Sequence, residues 1–308
     1  MICENGPDSF VCWANTMVDF RQIMMLPVVF GLGALAFAAA AYPQPRTREV
    51  IHRDDVSIEV IAEGSGPPII LLPSLGRDSE EFDPVAERIA AAGFRVLRPQ
   101  PRGYGRSTGP MRNITLHDLA RDVAAVMRHE DAIRRRNAPA ILAGHAFGHF
   151  VAKMTAVDFP ELVRAVILIG AAQKQPNPDV QRSVAIATDP AQPEAERLRH
   201  LKLVFFAPGN DPTMWLTGFH ANVRAAEIVA RDATPQREYW SAGTAPILDI
   251  QGANDPYRPK SSSNELVREF GAKRVSVVVI PHTAHAVIVE QPRAVADAIV
   301  RYAKSLPR

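Results

Sequence analysis

Apolar and polar positions along the chain follow two alternating rhythms. Residues 68–72, 140–143 and 164–172 are short, almost wholly apolar runs, the pattern of a strand buried on both faces of a parallel sheet. Residues 56–62 alternate with a period near two before the turn signal EGSGPP. Residues 94–97, 245–252 and 274–281 add further strand-like runs. Between these lie stretches with apolar residues three and four apart. SEEFDPVAERIAAAGF opens on a cap-like Ser79 and stops at Gly93, and 115–129, 147–159 and 292–306 carry the same helical spacing. This succession predicts an α/β fold, a mostly parallel central sheet with helices on both faces.

The rhythm breaks over 173–243. That segment has no strand pattern but three helix-like pieces, VQRSVAIA, PEAERLRHLKLVFF and PTMWLTGFHANVRAAEIVARD, separated by proline-rich breaks. It reads as an inserted helical cap. Its large apolar residues Phe205, Phe206, Met214, Trp215, Phe219 and Trp240 suggest either an apolar pocket entrance or the packing of cap onto core.

The first 41 residues stand apart. The chain is uncharged from Ile23 to Ala41, with Arg21 upstream and AFAAAAYPQP at the end, which reads as a secretory leader cleaved near Ala41. An uncleaved membrane anchor is the alternative, since the run approaches the ~20 residues that span a bilayer. Residues 1–16 carry Glu4 and Asp8 and no basic residue, so Met17 is a candidate start. Cleavage implies an exported protein without a stable membrane span. Cys3 and Cys12, the two cysteines of the 308-residue chain, both fall in the leader, leaving the mature part without disulfides or thiol chemistry. A net charge of +2 with 22% charged residues argues against a nucleic-acid partner. Arg134, Arg135 and Arg136 read as a solvated helix end. No metal, nucleotide or organic cofactor motif is present; the Gly64–Ser65–Gly66 turn lacks the spacing and the helix of a phosphate loop.

Candidate chemistry centres on GHAFGHF, Gly144 to Phe150, between an apolar strand and a helix. Glycines two positions either side of a central residue describe a tight strand-to-helix turn. The central residue is Ala146, which has no hydroxyl, thiol or carboxylate to act as nucleophile. Four further stretches accompany it in order: PSLGR (73–77), RVLRPQPRGYGRS (95–107), PILDIQGANDPYRP around Asp255, and PHTAHAVIVEQPRAVADAI around His285. Together, over about residues 48–305, they resemble the α/β-hydrolase fold of the capped, Ser-Asp-His type. The resemblance implies an acid at Asp255, a histidine at His285 and a nucleophile position at Ala146. It also implies two backbone oxyanion donors, the N–H groups of Leu75 and Phe147. Asp255 in Asn-Asp-Pro also fits a simple turn. His282 competes with His285, though the spacing to Glu290-Gln291-Pro292 favours His285.

The departures from that pattern bear on function. Ser74 replaces an oxyanion-loop glycine, Gln100 stands where an aspartate is common, and His149 places a second imidazole beside the elbow. Removing a triad nucleophile costs roughly 10⁶ in rate. Three readings of Ala146 follow: an introduced substitution that traps substrate, water activated by His285 and Asp255, or a non-catalytic relative that binds a small hydrophobic ligand under its cap. Rescue by the Ser74 hydroxyl is a weaker fourth. The expectation is a hydrolase of a small ester-like or carbonyl substrate, with the ligand-binding pseudoenzyme as its rival. Substrate identity and oligomeric state are not written in the sequence.

Overall fold

The structure is a computed structural model that describes residues 45–134 and 138–307. The leader, its cysteines, the Met17 start, and Arg135 and Arg136 lie outside the described residues. Among the described residues no helix is long and apolar enough to cross a membrane.

Eight strands form one sheet: β1 (Thr47–Arg53), β2 (Val56–Gly64), β3 (Pro68–Leu72), β4 (Arg95–Pro99), β5 (Ala140–His145), β6 (Val163–Ile169), β7 (Ile247–Gly252) and β8 (Val275–Ile280). Their order is β1-β2-β4-β3-β5-β6-β7-β8, and β2 alone runs against its neighbours. From β4 to β8 every pairing is parallel. The helices are α1 (Asp83–Ala91), α2 (Leu116–Arg134), α3 (Gly148–Asp158), α4 (Pro178–Ala187), α5 (Glu194–Val204), α6 (Ala221–Asp232), α7 (Gln236–Tyr239), α8 (Glu265–Phe270), α9 (Val287–Glu290) and α10 (Pro292–Ser305).

The wholly apolar strand runs make sense against this sheet. Successive strand side chains point to opposite faces, so each run feeds two cores. Ile70, Leu72, Leu142, Val166 and Leu168 join one core with α2 and α3, whereas Ile69, Leu71, Ile141, Ile167 and Ile169 join the other with α1 and α10. A polar residue at either parity would be buried, which is why these strands do not alternate.

Several local expectations change. Strand β1 was not anticipated; its outward residues are exposed and its apolar content is low, as befits an edge strand. Ser79 is not the helix cap. Asp78 accepts the Glu80 N–H at 2.9 Å to open a 3₁₀ turn over Ser79–Phe82, and α1 begins only at Asp83. The Ser79 N–H instead donates to the Gln100 side chain at 2.9 Å. Helix α2 runs five residues further than its periodicity suggested. The stretch after β6 does hold helices α4 to α7, but PTMWLTGFHANVRAAEIVARD is not one helix: it breaks at Gly218, with a 3₁₀ turn over Thr213–Trp215 before α6.

The inner face of α3 buries charge. Lys153 is fully buried; its Nζ has no hydrogen-bond partner and lies 4.2 Å from the centre of the Trp240 ring. Burial lowers its pKa to about 7, with the nearby Arg258 guanidinium adding to the effect against the pull of Asp249, Glu265 and Glu269. Arg258 is committed elsewhere, donating Nη1 to Glu265 at 2.9 Å and Nε to the Ala171 carbonyl at 3.1 Å. An unfolded lysine titrates near ~10.4, so between about 7 and about 10 the unfolded chain holds the extra proton and stability rises with pH. Lys153→Met, which fills the same volume without the charge, should raise the melting temperature near neutral pH by about 2 °C or more. That advantage should shrink by about pH 10, and melting curves of both proteins that stay parallel across the range would show that Lys153 is not the source.

Candidate active site

The turn between β5 and α3 is set by contacts that tolerate no side chain. A Cβ on Gly144 would sit 2.2 Å from the Gly148 carbonyl oxygen, and one on Gly148 would sit 2.3 Å from the Leu72 carbonyl oxygen at the end of β3. Between these glycines Ala146 adopts the left-handed region, φ 43°, which costs a non-glycine residue about 1 kcal/mol or more. Its N–H donates to the Ile169 carbonyl at 2.9 Å, and its carbonyl accepts from the His149 N–H at 3.1 Å. The strained residue is thereby held at the head of the turn, its methyl group bordering a cavity.

Asp255 and His285 meet although they are 30 residues apart. Asp255 sits in the loop after β7 and His285 in the loop after β8, and His285 Nδ1 lies 2.9 Å from Asp255 Oδ2. The other carboxylate oxygen accepts the Tyr257 N–H at 2.8 Å. An Nδ1 facing a carboxylate carries its proton there, so Nε2 is the nitrogen free to accept one. The imidazole is buried, flanked by Tyr257 and Phe205 rings at 4.6 and 5.4 Å. His282, by contrast, is exposed and does not border the cavity.

The loop after β3 leaves one N–H unused. The Ser74 N–H donates to Glu81 Oε1 at 2.7 Å and the Gly76 N–H to Glu227 Oε2 at 2.6 Å, while Leu75 between them has no acceptor among the described residues. Phe147 likewise has no acceptor for its N–H, although Ala146 before it and His149 after it do. The two free donors belong to residues that border the same cavity as Ala146 and His285.

The two bracing carboxyls differ electrostatically. For Glu81, burial alone would raise the pKa, but His145, Arg77 and the Ser74 N–H outweigh it and hold the group below the usual carboxylate range. Arg77 Nε donates to Glu81 Oε2 at 2.8 Å, and the guanidinium stacks over Trp215 and Phe219. His145 Nδ1 stands 3.5 Å from Glu81 Oε1, and its Nε2 donates to the His285 carbonyl at 2.9 Å. Glu227 has no cation. Burial pushes its pKa well up, the Glu81 charge adds to that, and only the Gly76 N–H opposes them. His149 is buried and neutral, its pKa pushed well down by burial and then by Lys153, with Nδ1 against the Ala146 carbonyl. Its Nε2 is enclosed without a partner rather than open to the cavity.

The cavity itself measures about 640 Å³. It runs from Ala146 and His285 outward between α4, α6 and α7, and its lining mixes Phe205, Tyr257 and Trp240 with Gln181, Thr188 and Arg224. The two readings of the large apolar residues in this segment divide residue by residue. Phe206, Trp215 and Phe219 pack with Phe205 in a separate cluster that meets the cavity only at Phe205, Trp240 borders the cavity from α7's end, and Met214 is 54% exposed. Most of these aromatics hold the helical segment onto the rest.

Sequence reasoning missed Glu81, His145 and Glu227. Glu81 and Glu227 each lie in a stretch of helical spacing where nothing local sets them apart from other charged positions. Only the Arg77–Glu81 spacing of four hinted at a pairing.

A family model described as serine aminopeptidase, S33, matches residues 68–292. A 2-(acetamidomethylene)succinate hydrolase from Mesorhizobium japonicum is 30% identical over 114 residues, 37% of this chain and 39% of that protein. The chain thus spans well under half the length of that relative. A monoacylglycerol lipase from Mycolicibacterium smegmatis is 26% identical over 237 residues, 72% of this chain and 82% of that protein. Among solved structures, a thermophilic esterase from Thermogutta terrifontis superposes with a TM-score of 0.68 at 21% identity, covering 85% of this chain and 99% of that one. The last likeness is one of fold.

Two substitutions test the site's construction. Gly148→Ala drives a methyl group into the Leu72 carbonyl and should cost about 2 kcal/mol or more, read as a lowered midpoint in denaturant unfolding. An unchanged midpoint would mean the turn is looser than described. Glu227→Gln keeps an acceptor for the Gly76 N–H but cannot ionise. A carboxyl with a raised folded pKa contributes stability at acid pH that is lost as pH rises through that pKa. The variant should therefore match the wild type near pH 4 and melt higher at neutral pH. A difference that does not grow with pH would overturn the assignment.

Proposed function

Because the chain belongs to the S33 serine aminopeptidase family of α/β hydrolases, we propose that it hydrolyses a small ester-like or carbonyl substrate with water in place of a serine nucleophile. The observation that carries this reading is that a base and two free backbone donors stand around the position of the missing hydroxyl. His285 is paired with Asp255, and the free N–H groups of Leu75 and Phe147 border one cavity with the Ala146 methyl.

The chemistry proceeds in two steps. A water over Ala146 gives a proton to His285 Nε2 as its oxygen bonds to the substrate carbonyl carbon. The carbonyl electrons move onto oxygen, where the Leu75 and Phe147 N–H groups donate to the oxyanion. Asp255 holds the imidazole in the Nδ1–H tautomer and stabilises its cationic form. The tetrahedral intermediate then collapses, the bond to the leaving group breaks, and His285 returns its proton to that group. No covalent enzyme intermediate forms, so the entire gain comes from base catalysis and preorganised donors.

Ala146 itself supports a second reading, a binder that holds a ligand in this cavity without turning it over. Turnover of short chromogenic esters by the wild type, His285→Ala and Ala146→Ser separates the two. Water activation predicts slow wild-type hydrolysis that His285→Ala abolishes, and a rise of about 10²-fold or more with Ala146→Ser. A wild type as inert as His285→Ala, with activity only after Ala146→Ser, would establish the binder.

A further inference from the structure

Three charged side chains other than histidine border the cavity, and their pairing differs. Arg231 is neutralised by Asp232, with Nη2 to Oδ1 at 2.7 Å. Arg224, two turns earlier on α6, has no carboxylate partner. Its Nε donates to the Thr188 hydroxyl at 2.9 Å and its Nη2 to the Ala185 carbonyl at 3.4 Å. Both acceptors are neutral, and both residues border the same cavity. Nη1 makes no hydrogen bond within the protein and is not enclosed. The half-buried Asp189 senses the Arg224 charge, but its oxygens accept from the Ala191 N–H and the Gln192 amide, and it forms no ion pair with Arg224.

The stem of Arg224 is also fixed. A Cβ on Gly76 would lie 2.7 Å from the Arg224 Cβ, so the root of the side chain packs against the loop that carries Leu75. The guanidinium is thus anchored at its root by the oxyanion loop and at its tip by the end of α4. A cation held in place by neutral acceptors, half-buried and open on one edge, is arranged to receive an anion. Its ordering cost is already met by the fold.

We propose that Arg224 is a carboxylate-binding residue, so that the cavity takes ligands bearing a carboxylate in addition to the carbonyl that reaches Ala146. This rests on the reading of the cavity as the substrate site. One open nitrogen and one uncompensated positive charge match a carboxylate monoanion. A phosphate dianion would need a second free cation, and Arg231 is already paired.

Calorimetric titration with monomethyl adipate and with its neutral diester, dimethyl adipate, tests this. Both are titrated into the wild type, Arg224→Gln, Arg224→Lys and His285→Ala at low ionic strength. The wild type should bind the monoanion about 10-fold or more tightly than the diester, as a charge-assisted hydrogen bond provides. Arg224→Gln should erase the difference between the two esters, and Arg224→Lys should keep part of it. The His285→Ala protein cannot consume either ester by the proposed route, and it should retain the full preference. Binding and turnover are thereby read apart: a wild type without esterase activity but with the anion preference would defeat water activation and leave this proposal standing. A preference that survives Arg224→Gln, a wild type that binds both esters equally, or no binding of the monoanion would overturn it.

Discussion

The site depends on a backbone contact in which three segments come closer than any side chain allows. Gly148 lies on the carbonyl of Leu72 and Gly144 on Gly148 itself, so the end of β3, the end of β5 and the start of α3 are locked at one point. That lock holds Ala146 in the left-handed region and leaves the Phe147 N–H without an acceptor among the described residues. It also puts the loop after β3 beside the turn, so that the Leu75 N–H shares the cavity. The free donors are consequences of the close approach, and they do not depend on what side chain stands at position 146. A serine could be lost from such a turn with little change to the rest of it.

Bracing of the oxyanion loop is asymmetric. Glu81 and Glu227 take the N–H groups on either side of Leu75, yet burial wins at Glu227, whereas His145, Arg77 and the Ser74 N–H outweigh it at Glu81. Glu81 is ionised within a cluster of Arg77 and His145, and His145 reaches on to the backbone of His285. Glu227 is held toward its neutral form by burial. Ionised Glu81 ties the loop to the β5 side, whereas the neutral group ties it to α6, an element of the helical segment between β6 and β7. Movement of α6 would therefore be felt directly at Gly76 and, through the packing of Arg224 on that glycine, at the outer wall of the cavity.

Burial is also why α3 combines a turn of high geometric demand with a costly interior. Lys153 and His149 lie on its buried side, each with an unpartnered nitrogen. In a low-dielectric interior neither can hold a proton as readily as in water, so both are driven toward neutrality. Arg258 beside them donates to Glu265 and to the Ala171 carbonyl, and its Nη2 lies 3.5 Å from Asp249 Oδ2.

The fold was largely legible in the chain because strand runs buried on both faces and helices of period 3.6 are local patterns. Residues 68–72 and 140–143 were readable without any knowledge of what covers them. The elbow was legible for a similar reason, since two glycines at fixed spacing report a steric demand that only glycine meets. Asp255 and His285 were placed by a resemblance carried on loop residues; their 2.9 Å contact required the sheet to bring the ends of β7 and β8 together. What the sequence could not show was pairing across distance. Glu81, Glu227 and Arg224 look like ordinary helix charges, and an ionic side chain carries no local mark of whether it will face water, a cation or nothing. By itself, then, the chain determined the architecture and the absence of a hydroxyl at the elbow. Tertiary packing decided which backbone donors stay free, which carboxyls keep their charge and which cavity arginine is left without a carboxylate, because burial and proximity, which set those outcomes, exist only once the chain has folded.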